Sequence, residues 1–222
     1  MKKSFIIVGS LAIASVLGAQ ESRAQGVRVG VKAGANLSNL AGDVTNEDRF
    51  ENKFGFVGGV MLNAPLIADG FLSIQPELLY SQKGFKNNSS SVFGTYKYEG
   101  RANYNYLDLP VLVKIKAGGF FVEAGPQFNY LINRNDKTVR TNNVTGTRAD
   151  YNSGDYDLSN VNRFEVGYAA GLGFQSENGV ILDLRYNGSF TDFTKDGYQG
   201  NDLRNARNSL FQLSLGYLIT SR

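Results

Sequence analysis

The sequence contains no cysteine, no histidine and no tryptophan, and it lacks any hydrophobic stretch long enough to cross a bilayer as a helix. Each absence excludes something. Without cysteine there is no disulfide framework, no thiol nucleophile and no thiolate metal ligand. Without histidine there is no side chain whose ordinary pKa lies near neutrality. Triads that rely on an imidazole base are therefore excluded. The Gly-x-Ser-x-Gly nucleophile elbow is missing as well. The chain is not expected to be an enzyme, and its composition calls for no cofactor.

The longest apolar run, Phe5 to Leu17, is 13 residues, against the roughly 20 that a membrane-spanning helix needs. It follows Lys2 and Lys3 and precedes Ser22-Arg23-Ala24, with small residues at the −3 and −1 positions. These features define a signal peptide over residues 1–24, cleaved before Gln25, with cleavage after Ala19 as the alternative. No cysteine follows the run, which excludes a lipoprotein anchor. Residues 25–222 then form one domain. Residues 1–24 carry +2 of the formal charge of +3. A mature chain so close to neutral gives no reason to expect nucleic acid as a partner.

What the mature chain does have is a rhythm of eight stretches in which apolar residues alternate with polar residues or glycine. Val27, Val29, Val31, Ala33, Ala35 and Leu37 form the first stripe. The last is Phe211, Leu213, Leu215, Tyr217 and Ile219. Period-two alternation over about 9–11 residues is what a tilted membrane-spanning strand requires. Three connections, Ala68-Asp69-Gly70, Ala117-Gly118-Gly119 and Glu177-Asn178-Gly179, read as tight turns. The other four, roughly residues 38–52, 86–95, 134–163 and 191–208, are long and polar. Short turns alternating with long loops put both termini on the short-turn side, the periplasmic side of outer-membrane barrels. Aromatic residues fall toward both strand ends, as two interfacial girdles would. The expected fold is all-β: an eight-stranded antiparallel up-and-down transmembrane β-barrel in the cell outer membrane. A soluble barrel with its apolar stripe inward is the alternative. Glycines and charges opposite the stripe, and the long-short asymmetry of the gaps, argue against it.

The positions between the apolar ones include Arg28, Lys32, Glu77, Lys83, Asp108, Lys114, Lys116, Glu123, Glu165, Asp183 and Arg185, six basic and five acidic. Eight strands enclose an interior just wide enough for side chains, and charges buried there must pair. These residues are expected to form a charge network that plugs the lumen.

Several segments resemble the PorT-like "porin family" outer-membrane barrels of Bacteroidetes. They are Gln75-Pro76-Glu77-Leu78-Leu79-Tyr80-Ser81-Gln82-Lys83-Gly84, Tyr106 to Lys114 (Tyr-Leu-Asp-Leu-Pro-Val-Leu-Val-Lys) and Glu123-Ala124-Gly125-Pro126-Gln127. The opening Gly30 to Ser38 and the stretch Leu213-Ser214-Leu215-Gly216-Tyr217 are similar to the same family. The resemblance implies the barrel fold and the outer membrane, and one member type is linked to protein export. Members usually finish on an aromatic residue; this sequence finishes Thr220-Ser221-Arg222.

Two further features have plain readings. Asp150 to Asp157 sets carboxylate and amide oxygens around Gly154, a donor set suited to Ca²⁺. Val161 stands where an EF-hand would place its glutamate, so the segment reads as a solvated loop and no metal is assigned. Gly167, Gly171 and Gly173 do not give Gly-x-Gly-x-x-Gly and are expected to relieve crowding in the lumen. The expected partners are outer-membrane lipid and a protein met through the extracellular loops, where Tyr151, Tyr156 and Tyr198 lie. The leading role is structural or interaction-based. A narrow channel for small solutes, or an accessory part of an export system, is the alternative.

Overall fold

A computed structural model describes residues 26–41, 50–67, 69–90, 95–155, 158, 161–192 and 207–219. The segment assigned as a signal peptide lies outside them. Ten strands follow in chain order: β1 (Arg28–Ala41), β2 (Phe50–Glu51), β3 (Lys53–Pro65), β4 (Leu72–Ser90) and β5 (Tyr96–Ala117). They continue with β6 (Phe120–Asn142), β7 (Arg148–Asp155), β8 (Phe164–Gln175), β9 (Val180–Ser189) and β10 (Arg207–Ile219). Eight of them close a ring in the order β1-β3-β4-β5-β6-β8-β9-β10, with β10 pairing back onto β1. All pairings are antiparallel. Closure leaves no edge strand in the wall, the condition for a sheet to sit in lipid. No described helix is long and apolar enough to cross a membrane.

The alternation decides which face is which. Leu215 is 61% exposed and Leu182 48%, whereas Arg185, between apolar neighbours, is 1% exposed. The apolar stripe faces out and the charges face in, so the soluble-barrel alternative is overturned. Aromatic rings meet across strands near the long-loop ends: Phe56 and Tyr80 at 5.6 Å, Tyr168 and Phe190 at 5.1 Å, Tyr186 and Phe211 at 5.2 Å. At the short-turn end Phe120 and Phe174 meet edge to face at 5.3 Å. These are the girdles of a membrane barrel. The three tight turns place Gly70, Gly118 and Gly179 at positive φ, a conformation that side-chain-bearing residues rarely adopt.

The wall has one irregular sector. Pro76, Pro110 and Pro126 lie on the adjacent strands β4, β5 and β6, with Pro76 opposite Val111 and Pro110 opposite Gln127. Proline donates no backbone hydrogen bond, and the ladder there skips from Pro76–Val111 to Leu79–Asp108 and from Pro110–Gln127 to Val113–Ala124.

Two of the four expected loops are largely strand. β4, β5 and β6 are 19, 22 and 23 residues long, about twice what crosses the bilayer. Beyond the row Tyr80–Leu107–Tyr130 they continue as a sheet, with β7 added outside β6 and β2 outside β4. Within the expected loops at residues 86–95 and 134–163, residues 86–90, 134–142 and 148–155 are therefore corrected to strands of this protruding sheet. Its base encloses an apolar cluster of Phe85, Ala102, Tyr104, Tyr106, Leu131 and Val161, with Leu158 against it. A second cluster, Met61, Phe121, Ile181 and Leu218, fills the short-turn end of the lumen. The polar interior lies between these two apolar caps, each large side chain of which contributes about 1.5–3 kcal/mol by burial.

Candidate functional site

Of the eleven charged positions on the inward stripe, nine are buried: Lys32, Glu77, Lys83, Asp108, Lys114, Glu123, Glu165, Asp183 and Arg185. Arg28 and Lys116 are only half-buried. They occupy the first residue of β1 and the last but one of β5, where the ring ends and water reaches in. Lys53, which the sequence reading assigned to no site, is buried as well. With Lys53 in and the two rim cations out, the buried charges among the described residues are five basic and five acidic.

The lower part of the lumen centres on Arg185 of β9. Its guanidinium donates to both carboxylate oxygens of Glu77 on β4, at 2.9 and 3.1 Å, and through Nε to Glu123 on β6 at 3.0 Å. Such forked contacts match guanidinium to carboxylate geometry. Lys32 of β1 bridges Glu77 at 2.9 Å and Asp183 of β9 at 2.8 Å. Ser214 donates to the other oxygen of Asp183 at 2.8 Å, and Gln75 donates to Glu77 at 2.8 Å. Lys114 stands opposite Glu123 in the β5–β6 ladder, with Nζ 3.7 Å from the centre of the Phe121 ring, a cation–π contact. These six charged groups are three of each sign.

A second layer lies nearer the long loops. Lys83 donates to Asp108 at 3.0 Å and stands 4.5 Å from the centre of the Tyr106 ring. The Tyr106 hydroxyl donates to Glu165 at 2.6 Å, and the Asn208 amide reaches both oxygens of Glu165 at 2.9 Å. Lys53 closes this layer, its Nζ 3.5 Å from the Lys83 carbonyl. A cavity beside Lys83, Gln127, Asn129 and Asn208 measures about 10 Å³, room for at most about one water.

Lys32 and Arg185 are paired with Glu77, Glu123 and Asp183, and Lys83 with Asp108, whereas Glu165 is held by Tyr106 and Asn208 and Lys53 by a backbone carbonyl. The segments Gln75-Pro76-Glu77, Asp108 to Lys114 and Glu123 to Pro126 supply four of the ten buried charges described, Glu77, Asp108, Lys114 and Glu123. Gly173 faces the lower apolar cap, where a Cβ would collide with the Phe121 ring and the Leu182 carbonyl; at Gly171 it would press on Leu184 and Arg185. In the 150–157 segment, Asp150 lies on β7, 3.6 Å from Lys137. The described residues contain no cluster of three metal-ligating side chains. The side chains of Tyr151, Tyr156 and Tyr198 lie outside the described residues.

Solved outer-membrane barrels share this outline. Neisserial surface protein A is 11% identical, with a TM-score of 0.48 over 87% of this chain and 99% of that one. The attachment invasion locus protein Ail of Yersinia pestis is 13% identical, with a TM-score of 0.44 over 88% and 100%. CarO2 of Acinetobacter baumannii is 12% identical, with a TM-score of 0.42 over 86% and 99%. No curated protein matches the sequence. The model of the outer membrane protein beta-barrel domain matches residues 18–195, most of the closed ring described above. By that match, the chain belongs to the outer membrane protein beta-barrel domain family.

Proposed function

We propose that this protein is a non-conducting barrel whose role is carried by the sheet and loops it holds above the outer membrane. The observation that carries the reading is Arg185 at the centre of the lumen. It is sealed from solvent together with Glu77 and Glu123, which it grips from opposite sides. A closed interior leaves the wall free to act as a rigid anchor. The extra length of β4, β5 and β6 then presents a surface to an outside partner. Rigid scaffolds that position variable surface segments are a common route to binding. Within this reading the resemblance to PorT-like barrels adds an accessory role beside export machinery, met through the same sheet. No cofactor is required.

Solute efflux from proteoliposomes tests the closed lumen. Vesicles loaded with a small sugar and carrying the folded protein are expected to leak no faster than empty ones. Efflux that scales with protein content would replace this reading with that of a narrow channel.

A further inference from the structure

The outward apolar stripe of β8 runs from Phe164 to Phe174, which are 56% and 44% exposed. Ten residues at about 3.3 Å each, on a strand tilted by about 40°, rise about 25 Å, the height of the apolar band of a membrane barrel. Arg163 is the first residue beyond Phe164 on the long-loop side. It stands where lipid headgroups begin. Phe164 pairs with Tyr130 in the β6–β8 ladder. Tyr130 is 45% exposed and Ile132 beyond it 42%, so apolar surface meets lipid right up to Arg163.

Arg163 is exposed, yet its guanidinium is held in place. Nε donates to the Leu131 carbonyl at 3.3 Å and Nη2 to the Ile132 carbonyl at 3.4 Å. The guanidinium carbon lies 5.1 Å from the centre of the Tyr130 ring. Ile132 is the residue that the β5–β6 ladder skips, pairing Tyr106 with Leu131 but Asn105 with Asn133. A bulge of this kind re-aims the groups beside it. Among the described residues no carboxylate pairs with Arg163, and its Nη1 has no partner.

Amides line the same rim. Gln82 donates to Asn105 at 3.5 Å, and Asn105 donates to Asn133 at 2.6 Å. Gln82 is two residues beyond Tyr80 and Asn105 two beyond Leu107, both at the top of the outward stripe. The relay ends on the exposed Asn133, whose own amide N–H groups donate to nothing among the described residues. Asn133 follows Ile132 directly, so the open donors of Asn133 and Arg163 flank one peptide group.

A guanidinium fork matches phosphate, and one already held in place loses little freedom on binding. Side-chain amides both donate to and accept from sugar hydroxyls. A free anion would gain nothing from the exposed rings below, whereas acyl chains attached to the headgroup would lie against them.

We propose that Arg163, with Asn133 and Asn105 beside it, binds the phosphorylated sugar headgroup of an outer-leaflet glycolipid at the membrane rim. The site depends neither on a closed lumen nor on the protruding sheet as a working surface, so it stands or falls separately from the function proposed above.

The test is native mass spectrometry of the full folded chain in zwitterionic micelles with bisphosphorylated lipid A added. The comparison ligands are the dephosphorylated glycolipid, phosphatidylglycerol and inorganic phosphate. The expected result is a lipid A adduct at least tenfold tighter than that of either other lipid, and not displaced by inorganic phosphate at equal concentration. Arg163→Gln is expected to lower lipid A affinity at least tenfold. Arg163→Lys keeps the charge, loses the fork and is expected to lower it at least threefold. Asn133→Ala leaves the guanidinium contacts in place and is expected to cost at least threefold, which keeps the site testable if Arg163→Gln loses its resistance to unfolding on SDS gels. Arg207→Gln, which removes an exposed cation already paired with Asp192 at 2.8 Å, is expected to change affinity less than twofold. Unchanged binding by the folded Arg163 variants or by Asn133→Ala, equal binding of the dephosphorylated lipid, or no adduct would overturn the proposal. Equal binding of phosphatidylglycerol would overturn its assignment to a glycolipid, and displacement by inorganic phosphate its assignment to a lipid.

Discussion

Arg185 and Glu77 join strands on opposite sides of the barrel. Counting round the ring, β9 and β4 are four strands apart in either direction, and their side chains meet at 2.9 and 3.1 Å with neither exposed to solvent. A second brace, Asn208 to the Tyr106 hydroxyl at 3.1 Å, joins β10 to β5 across the neighbouring diameter. Hydrogen bonds round the wall fix only neighbouring strands; these two contacts fix the cross-section. That is why the interior charges bear on both stability and closure.

Breaking the first brace on one side leaves an uncompensated charge in a dry interior. Arg185→Met is expected to cost about 3–5 kcal/mol, measured by urea unfolding in lipid vesicles. Replacing the pair together, Arg185→Met/Glu77→Leu, is expected to recover most of that loss, because Lys32 keeps Asp183 and Lys114 keeps Glu123 opposite it, so the remaining charges stay balanced. Additive losses would show that the two do not act as a unit.

Adjacent positions on β9 separate inside from outside. Leu184 faces lipid and is 47% exposed, while its neighbours Asp183 and Arg185 are each 1% exposed. Leu184→Arg is expected to destabilise the inserted barrel by about 2–4 kcal/mol near the bilayer midplane. Unchanged stability in vesicles would contradict the orientation of the whole ring.

At Gly173 the added methyl of alanine meets the Phe121 ring and the Leu182 carbonyl. Gly173→Ala is expected to cost about 1–3 kcal/mol through overpacking. Phe121→Leu in the same chain should return part of it, since the ring can be shortened and the backbone carbonyl cannot. A neutral Gly173→Ala would show that the lower cap is loosely packed.

Outside the membrane, Glu99 ties β5 to β7 through Arg148. Its carboxyl is held below the usual value of 4.5, first by the hydrogen bond from Lys97 and then by that from Arg148. A depressed folded-state pKa adds stability above the unfolded value, and that stability is lost as pH falls through the folded one. Hydrogen exchange along β7, compared with Glu99→Gln at each pH, is expected to show greater protection in the wild type at pH 7 and a difference that shrinks as the pH falls below 4.5. A difference that does not shrink on acidification would mean Glu99 does not act through its charge.

The ring was legible because lipid demands alternation. Residues such as Leu213, Leu215 and Tyr217 on β10, with Gln212, Ser214 and Gly216 between, mark a strand with one apolar face. The protruding sheet was not legible for the opposite reason. Above the membrane no lipid demands an apolar face, so Asn87-Asn88-Ser89-Ser90 and Asn133 to Asn142 carry no apolar stripe and read as loops. Their strand character comes from the ladder alone. The charged interior followed from parity, and errors arose at the ends. Arg28 and Lys116 have inward parity but lie where the ring stops. Lys53 has inward parity too, one residue before Phe54, and was hidden by its place beside a loop.

The most direct test of a closed, charge-balanced lumen is single-channel recording from the refolded protein in planar bilayers, with circular dichroism confirming β structure. Folded, inserted protein is expected to stay silent, because Arg185, Glu77 and Glu123 occupy the centre of the barrel. Stable conductance steps would contradict that, and would mean the ionic plug moves aside to leave an open path.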